Sequence, residues 1–153
     1  MTVIFTKGDI FLTPCQVIGV GLSANGRLGV TPFHTALHDR YPVFISECGK
    51  RGRAGTLPPG TLWVWRDGIP WLAGLVVQET PHAPARLRTV EAALLNLWND
   101  GPREGITSLA LMRFGDDSEW PALRGLLNEY LSRLPLPVIV YDEYLPGVAA
   151  EDE

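Results

Sequence analysis

Apolar positions along this chain change period several times, and each change marks an element. From Ile106 to Phe114 (ITSLALMRF) most positions are apolar, as in a strand buried on both faces. Gly115-Asp116-Asp117-Ser118 is a short polar turn. Trp120, Leu123, Leu127, Tyr130, Leu131 and Leu134 then recur at helical spacing. Ser118 or Asp117 is placed to cap that helix. Pro121 suits its first turn, where N–H groups have no partner inside the helix. A strand feeding a helix through so tight a loop sets helix-terminal N–H groups at the carboxyl edge of a sheet. Open α/β sheets bind anionic ligands there. The arrangement is common and alone names no ligand.

The remaining pattern fills in around this unit. Val3 to Thr6 reads as a short strand ended by Lys7-Gly8-Asp9, and Gln16 to Leu22 as a glycine-interrupted strand. Ser23 to Gly29 (SANGRLG) is loop chemistry, with Asn25-Gly26 as a turn signal. Thr31-Pro32 predicts an N-cap and first helical residue, with Phe33, Ala36 and Leu37 as a short stripe. A second short helix is predicted from Pro42 to Glu47, and loop from Gly49 to Gly60. Leu62 to Arg66 and Trp71 to Gln78 read as strands joined across Asp67-Gly68-Ile69-Pro70, a hairpin signal. Arg86 to Trp98 predicts a helix with Leu87, Val90, Leu94, Leu97 and Trp98 on one face. Pro137 to Tyr141 is the last strand, and Leu145 to Glu153 an acidic segment expected to fray. This order predicts a three-layer α/β/α domain with a mixed central sheet over residues 1–145, and a flexible tail over 146–153.

Composition narrows the function. The 153 residues suit one core, and five Trp against two Met mean bulky rings must fill much of it. The formal net charge is −4, and the densest basic run, Lys50-Arg51-Gly52-Arg53, is short and reads as a solvated loop. Direct nucleic-acid binding is therefore not expected. Cys15 and Cys48 form no disulfide framework, no apolar run approaches the roughly 20 residues a membrane span needs, and Lys7 falls too early for a secretory leader. The expected location is the cytoplasm.

Catalytic signatures are few. No Cys/His set has zinc spacing, and no cofactor motif is present. His34 and His38 sit at i, i+4, a pattern met more often on a helix surface than at a metal. A Cys–His nucleophilic pair stays open without being favoured. Asp9, just after a strand, can accept from an exocyclic amine or, more commonly, cap the next turn. The loops Ser23–Gly29 and Gly115–Ser118 could clasp a diphosphate through backbone N–H groups, or be tight connections only.

Taken in order, several stretches resemble macro domains, which are ADP-ribose-binding modules. They are Lys7-Gly8-Asp9-Ile10, the glycine-containing strand into Ser23, Arg27-Leu28-Gly29 before a helix, and Leu75-Val76-Val77-Gln78. The likeness continues through Pro84, through Gly105-Ile106-Thr107-Ser108-Leu109 into Gly115, through Glu119-Trp120, and through Val138 to Tyr141. The nearest branch holds the terminal ADP-ribose protein glycohydrolase and the macro domains of DarG-type antitoxins. The resemblance implies that Asp9 and Ile10 sit at the adenine. It implies that Ser23, Asn25, Arg27 and Gly29 approach the distal ribose and diphosphate, and that Gly115 and Asp116 form the second phosphate loop. The ligand implied is ADP-ribose or an ADP-ribosylated substrate.

Three departures qualify what the resemblance implies. Gly29 is followed by Val30-Thr31-Pro32 rather than by the family's second glycine, and proline removes an N–H donor. Gln78 stands where the hydrolytic branch has a lysine, and an amide cannot form that lysine's covalent adduct. The second loop is shorter, and its adjacent carboxylates Asp116 and Asp117 would repel a diphosphate unless one faces away or is protonated. Asp116 or Asp117 is the candidate general base if the chain is a hydrolase. The alternative is a domain of the same fold that keeps no nucleotide site and serves in protein interaction.

Overall fold

The computed structural model of the chain describes residues 3–150. Residues 1–2 of the expected domain and 151–153 of the expected tail lie outside the described residues. The six strands are β1 (Val3–Gly8), β2 (Val17–Ser23), β3 (Leu62–Trp65), β4 (Trp71–Gln78), β5 (Leu109–Met112) and β6 (Val138–Tyr144). They form one sheet in the order β1-β6-β5-β2-β4-β3. All pairs are parallel except the β3–β4 hairpin, so the sheet is mixed. The helices are α1 (Pro32–Arg40), α2 (Pro42–Arg53), α3 (Leu87–Asp100) and α4 (Trp120–Leu131).

Alternation along the central strands divides the core in two. Val17, Ala73, Leu75, Leu109, Leu111, Val138 and Val140 turn to one face, where α3 and α4 bring Val90, Leu94, Leu97, Leu123 and Leu127. Ile18, Val20, Leu72, Val76, Met112 and Tyr141 turn to the other, where α1 and α2 bring Phe33, Leu37, Phe44 and Cys48. The result is the predicted three-layer α/β/α sandwich. Both faces of the middle strands are covered, which is why their sequences are nearly continuous apolar runs. Because β2, β4, β5 and β6 run parallel, Ser23, Gln78, Met112 and Tyr144 end at one edge.

Several boundaries differ from the sequence expectation. The second helix does not stop at Glu47 but runs to Arg53, so Lys50-Arg51-Gly52-Arg53 is its last turn and not a loop. Its glycines are contact points. A Cβ on Gly52 would lie 2.2 Å from the Asn25 carbonyl, and one on Gly26, whose φ is +78°, would lie 2.1 Å from Cys48 O. The loop after β2 therefore rests directly on the helix. β5 covers only Leu109–Met112, shorter than Ile106–Phe114, whereas β6 extends to Tyr144. Leu87 and Trp98, expected on the core face of α3, are about half exposed, and Ala93 is buried instead. α4 is capped by neither Ser118 nor Asp117; Asp116 accepts from Glu119 N (2.8 Å) and holds its start. Residues 145–150 lie against β1 and its exit: Leu145 N donates to Gly8 O, Asp9 N donates to Val148 O, and Ala150 packs against the core.

Candidate ligand-binding cavity

A cavity of about 830 Å³ opens at the carboxyl ends of β2, β4, β5 and β6. Its walls are the loop after β2, the loop after β5, the turn after β4 and the end of β6. Of the residues singled out from the sequence, Ser23, Arg27, Gly29, Gly115, Asp116, Asp117 and Gln78 line it. Asp9, Ile10 and Asn25 do not. Asp9 is 3% exposed, and its carboxylate accepts from Phe11 N and from Gly147 N, each at 2.9 Å. One oxygen caps the turn Ile10–Leu12 and the other ties down the C-terminal segment. Ile10 is fully buried.

The first loop is held by its own side chains. Ser23 Oγ lies 2.7 Å from Asn25 Oδ1 and 2.5 Å from Arg27 O, and its single proton serves one of them. Asn25 Oδ1 also accepts from Arg27 N. Ala24 N and Asn25 N donate to Gln78 O and Glu79 O, fastening the loop to the end of β4. Asn25 therefore shapes the cavity wall from behind.

The second loop is already furnished with carboxylates. Asp116 Oδ1 accepts from Ser118 Oγ (2.7 Å) and from Glu119 N. The Ser118 hydroxyl, then the Glu119 N–H, hold the Asp116 carboxyl below the usual carboxylate range. Glu119 spans two loops, accepting from Asp116 N (3.0 Å) and from Ala85 N (2.8 Å). Asp117 is paired with Arg113. Asp142 accepts from Trp120 Nε1, and Glu143 pairs with Lys7 at 3.7 Å. Arg27 is the cation on these walls that has no ion pair among the described residues. The cavity is thus polarised, with a cation on the first loop and carboxylates on the second.

Gln78 gives its side-chain N–H to Thr80 O, which orients the turn leading to Pro81–Pro84. Its amide is no base, and the Asp116 carboxyl, already below the usual carboxylate range, is a weak one at neutral pH. Cys48 is fully buried, and burial first, then Glu47, push its thiol up to about 12. Among the described residues no group of three or more His, Cys, Asp or Glu is placed to hold a metal, and no helix is long and apolar enough to cross a membrane. A smaller depression of about 390 Å³ beside Lys50 and Arg51 lies at the end of α2, apart from the strand ends.

The sequence reading passes over three contributors. His34, placed with the surface histidines, is half-buried in the cavity wall, and His82 and Tyr144 also line it. Its position three residues after the N-cap Thr31 turns it back toward the loop, and that spacing was the available signal. Tyr144 required knowing that β6 runs three residues further than its apolar stretch.

No protein-family model matches this sequence, and no curated protein matches it. Solved structures do. The macrodomain of Thermus aquaticus DarG superposes with a TM-score of 0.80 at 19% identity, over 92% of this chain and 98% of its own. The macrodomain of Mycobacterium tuberculosis DarG gives 0.80 at 19% identity, over 95% and 99%. Thermosipho africanus DarTG, solved in complex with ADP-ribose, gives 0.83 at 18% identity, over 97% of this chain and 43% of its own. Agreement at this TM-score over nearly the full length establishes that this chain has the macrodomain fold.

Proposed function

We propose that this cavity binds ADP-ribose or a related ADP-containing nucleotide, free or carried on a modified macromolecule. The observation that supports it most is the placement of a large cavity at the carboxyl edge, between two small-residue loops. It occurs on a fold shared with a protein solved in complex with ADP-ribose. The volume lies within the range of about 300–1,000 Å³ usual for small-molecule sites. The polarity suits a nucleotide sugar: phosphates beside Arg27 and Gly29, and sugar hydroxyls donating to the carboxylates of the second loop. Asp9 is 3% exposed and is bridged to the C-terminal segment through Gly147 N, so an adenine contact there would need local rearrangement.

We read the site as a binder rather than a hydrolase. Gln78 has no nucleophilic amine. Ser118 and Glu119 lower the pKa of the Asp116 carboxyl, and Asp117 is paired with Arg113. Turnover of an ADP-ribosylated substrate that disappears in an Asp116→Asn, Asp117→Asn double variant would reverse this reading.

A second reading, an interaction module with no nucleotide site, draws on the second loop. There Glu119 already occupies the Asp116 and Ala85 N–H groups that an anion would use. A thermal-shift series with ADP-ribose, ADP, AMP and ribose 5-phosphate separates the two. The nucleotide reading expects the largest stabilisation from ADP-ribose and little from ribose 5-phosphate. No shift with any of the four favours the interaction module.

A further inference from the structure

We propose that the His34 imidazole donates its Nε2–H to a phosphate oxygen of the bound nucleotide, adding a side-chain donor beside the first loop. The inference rests on the nucleotide reading above and names the residue that would set its preference for phosphates.

Some donors of this loop are already used: Gly26 N gives to Ser23 O and Arg27 N to Asn25 Oδ1, and Pro32, which opens α1, has no N–H. The His34 ring lies against the loop at Gly29, where an added Cβ would meet Cε1 at 3.1 Å and Nδ1 at 3.3 Å. The edge of Phe33 steadies the ring, with centroids 5.4 Å apart. Nδ1 is committed, lying 2.7 Å from Thr31 Oγ1. That hydroxyl oxygen already accepts from His34 N, so its hydrogen is free to point at Nδ1. The contact requires the tautomer in which Thr31 donates to Nδ1 and the ring proton sits on Nε2, which has no partner among the described residues.

Charge explains why the phosphates would take this side. Asp116 and Glu119 line the cavity from the second loop, where a phosphate would meet like charge. Arg27 stands on the first loop with no ion pair among the described residues. Burial, then the neighbouring His38, lower the His34 pKa to about 4, so the ring offers one fixed donor at neutral pH without a buried charge. A neutral, oriented N–H beside one arginine favours a diphosphate that threads the gap over an ion that only seeks positive potential.

The test has two arms. Calorimetry with ADP-ribose and ADP compares wild type, His34→Ala and His34→Gln. The alanine variant is expected to weaken both ligands by about tenfold or more, the order for a hydrogen bond to a charged group. Glutamine, whose amide N–H reaches a similar point, should recover most of the loss. Equal binding by the alanine variant would overturn the assignment and leave the nucleotide reading standing. So would a glutamine variant as weak as alanine, which would mark a role in packing only. In the second arm, nitrogen-15 NMR of the wild-type histidine rings follows titration with ADP-ribose and with inorganic pyrophosphate. A ring protonated on Nε2 whose N–H signal moves on saturation supports the assignment. A ring protonated on Nδ1, or one indifferent to both ligands, rejects it. Should wild type bind no nucleotide, the functional reading fails, and the pyrophosphate titration alone judges whether His34 meets an anion.

Discussion

A thiol with no exposed surface is chemically quiet, and Cys48 is such a thiol. Burial pushes its pKa up to about 12, which leaves almost no thiolate at physiological pH. The Cys–His pair that the sequence left open therefore has no nucleophile at this position. Neither Cys48 nor the buried Cys15 should react with Ellman's reagent at pH 8 in the native protein, and both should react in denaturant. Fast labelling of Cys48 in the folded chain would contradict the packing of α2. His34 makes a second prediction, with a definite sign. Its folded pKa, about 4, lies below the ordinary 6.5. As pH falls through 6.5 the unfolded chain takes up this proton and the folded chain does not, so the unfolded state gains. The contribution of the neutral ring is present above pH 6.5 and is lost between 6.5 and 4. Urea midpoints of wild type should fall more steeply over that window than those of His34→Gln; parallel curves would contradict the burial. These roles were only partly legible. Asp9 was readable as a turn cap from its place after a strand. Its second contact, to Gly147 N, joins residues 138 positions apart, and no local pattern announces it.

Glycines in the segment 49–53 show where element prediction from local signals loses its footing. Glycine weakens a helix by about 1 kcal/mol relative to alanine, so Gly49 and Gly52 argue for loop when taken alone. The helix continues through them because Phe44 and Cys48 anchor it in the core, and because Gly52 lets the loop after β2 lie directly on its surface. A propensity penalty is offset by a close approach that any side chain would forbid. Gly52→Ala would improve the helix locally and still harm the protein. Its methyl group would overlap the Asn25 carbonyl and Gly26 N, forcing the loop off α2. The expected outcome is a loss of about 1–3 kcal/mol in urea unfolding together with weaker nucleotide binding. An alanine variant as stable as wild type, with unchanged binding, would show that the loop is not positioned by this contact. The elements that were read well, β4 and α4, carry their signal in one uninterrupted period. β5 was read too long because Ile106 and Phe114 are buried without pairing in the strand.

The sandwich itself was legible from order alone. Strands alternating with helical periods call for a largely parallel sheet covered on both faces, and the one hairpin signal supplied the antiparallel edge. What the order could not give is which strand ends become neighbours, since β2 lies between β4 and β5 only after the chain has crossed over. The cavity exists because of that adjacency: Ser23, Gln78, Met112 and Tyr144 are far apart in sequence and meet at one edge. The resemblance to macro domains named the loops that would form the walls. It could not foresee that Glu119 bridges two of them, or that His34 faces the first. The central claim is that this edge still holds an ADP-containing nucleotide despite its altered loops. Calorimetric titration of the wild-type chain with ADP-ribose tests it most directly. The account predicts saturable binding near micromolar, about −8 kcal/mol, and markedly weaker binding of AMP. No heat at millimolar ADP-ribose, from a chain that unfolds cooperatively, would contradict it.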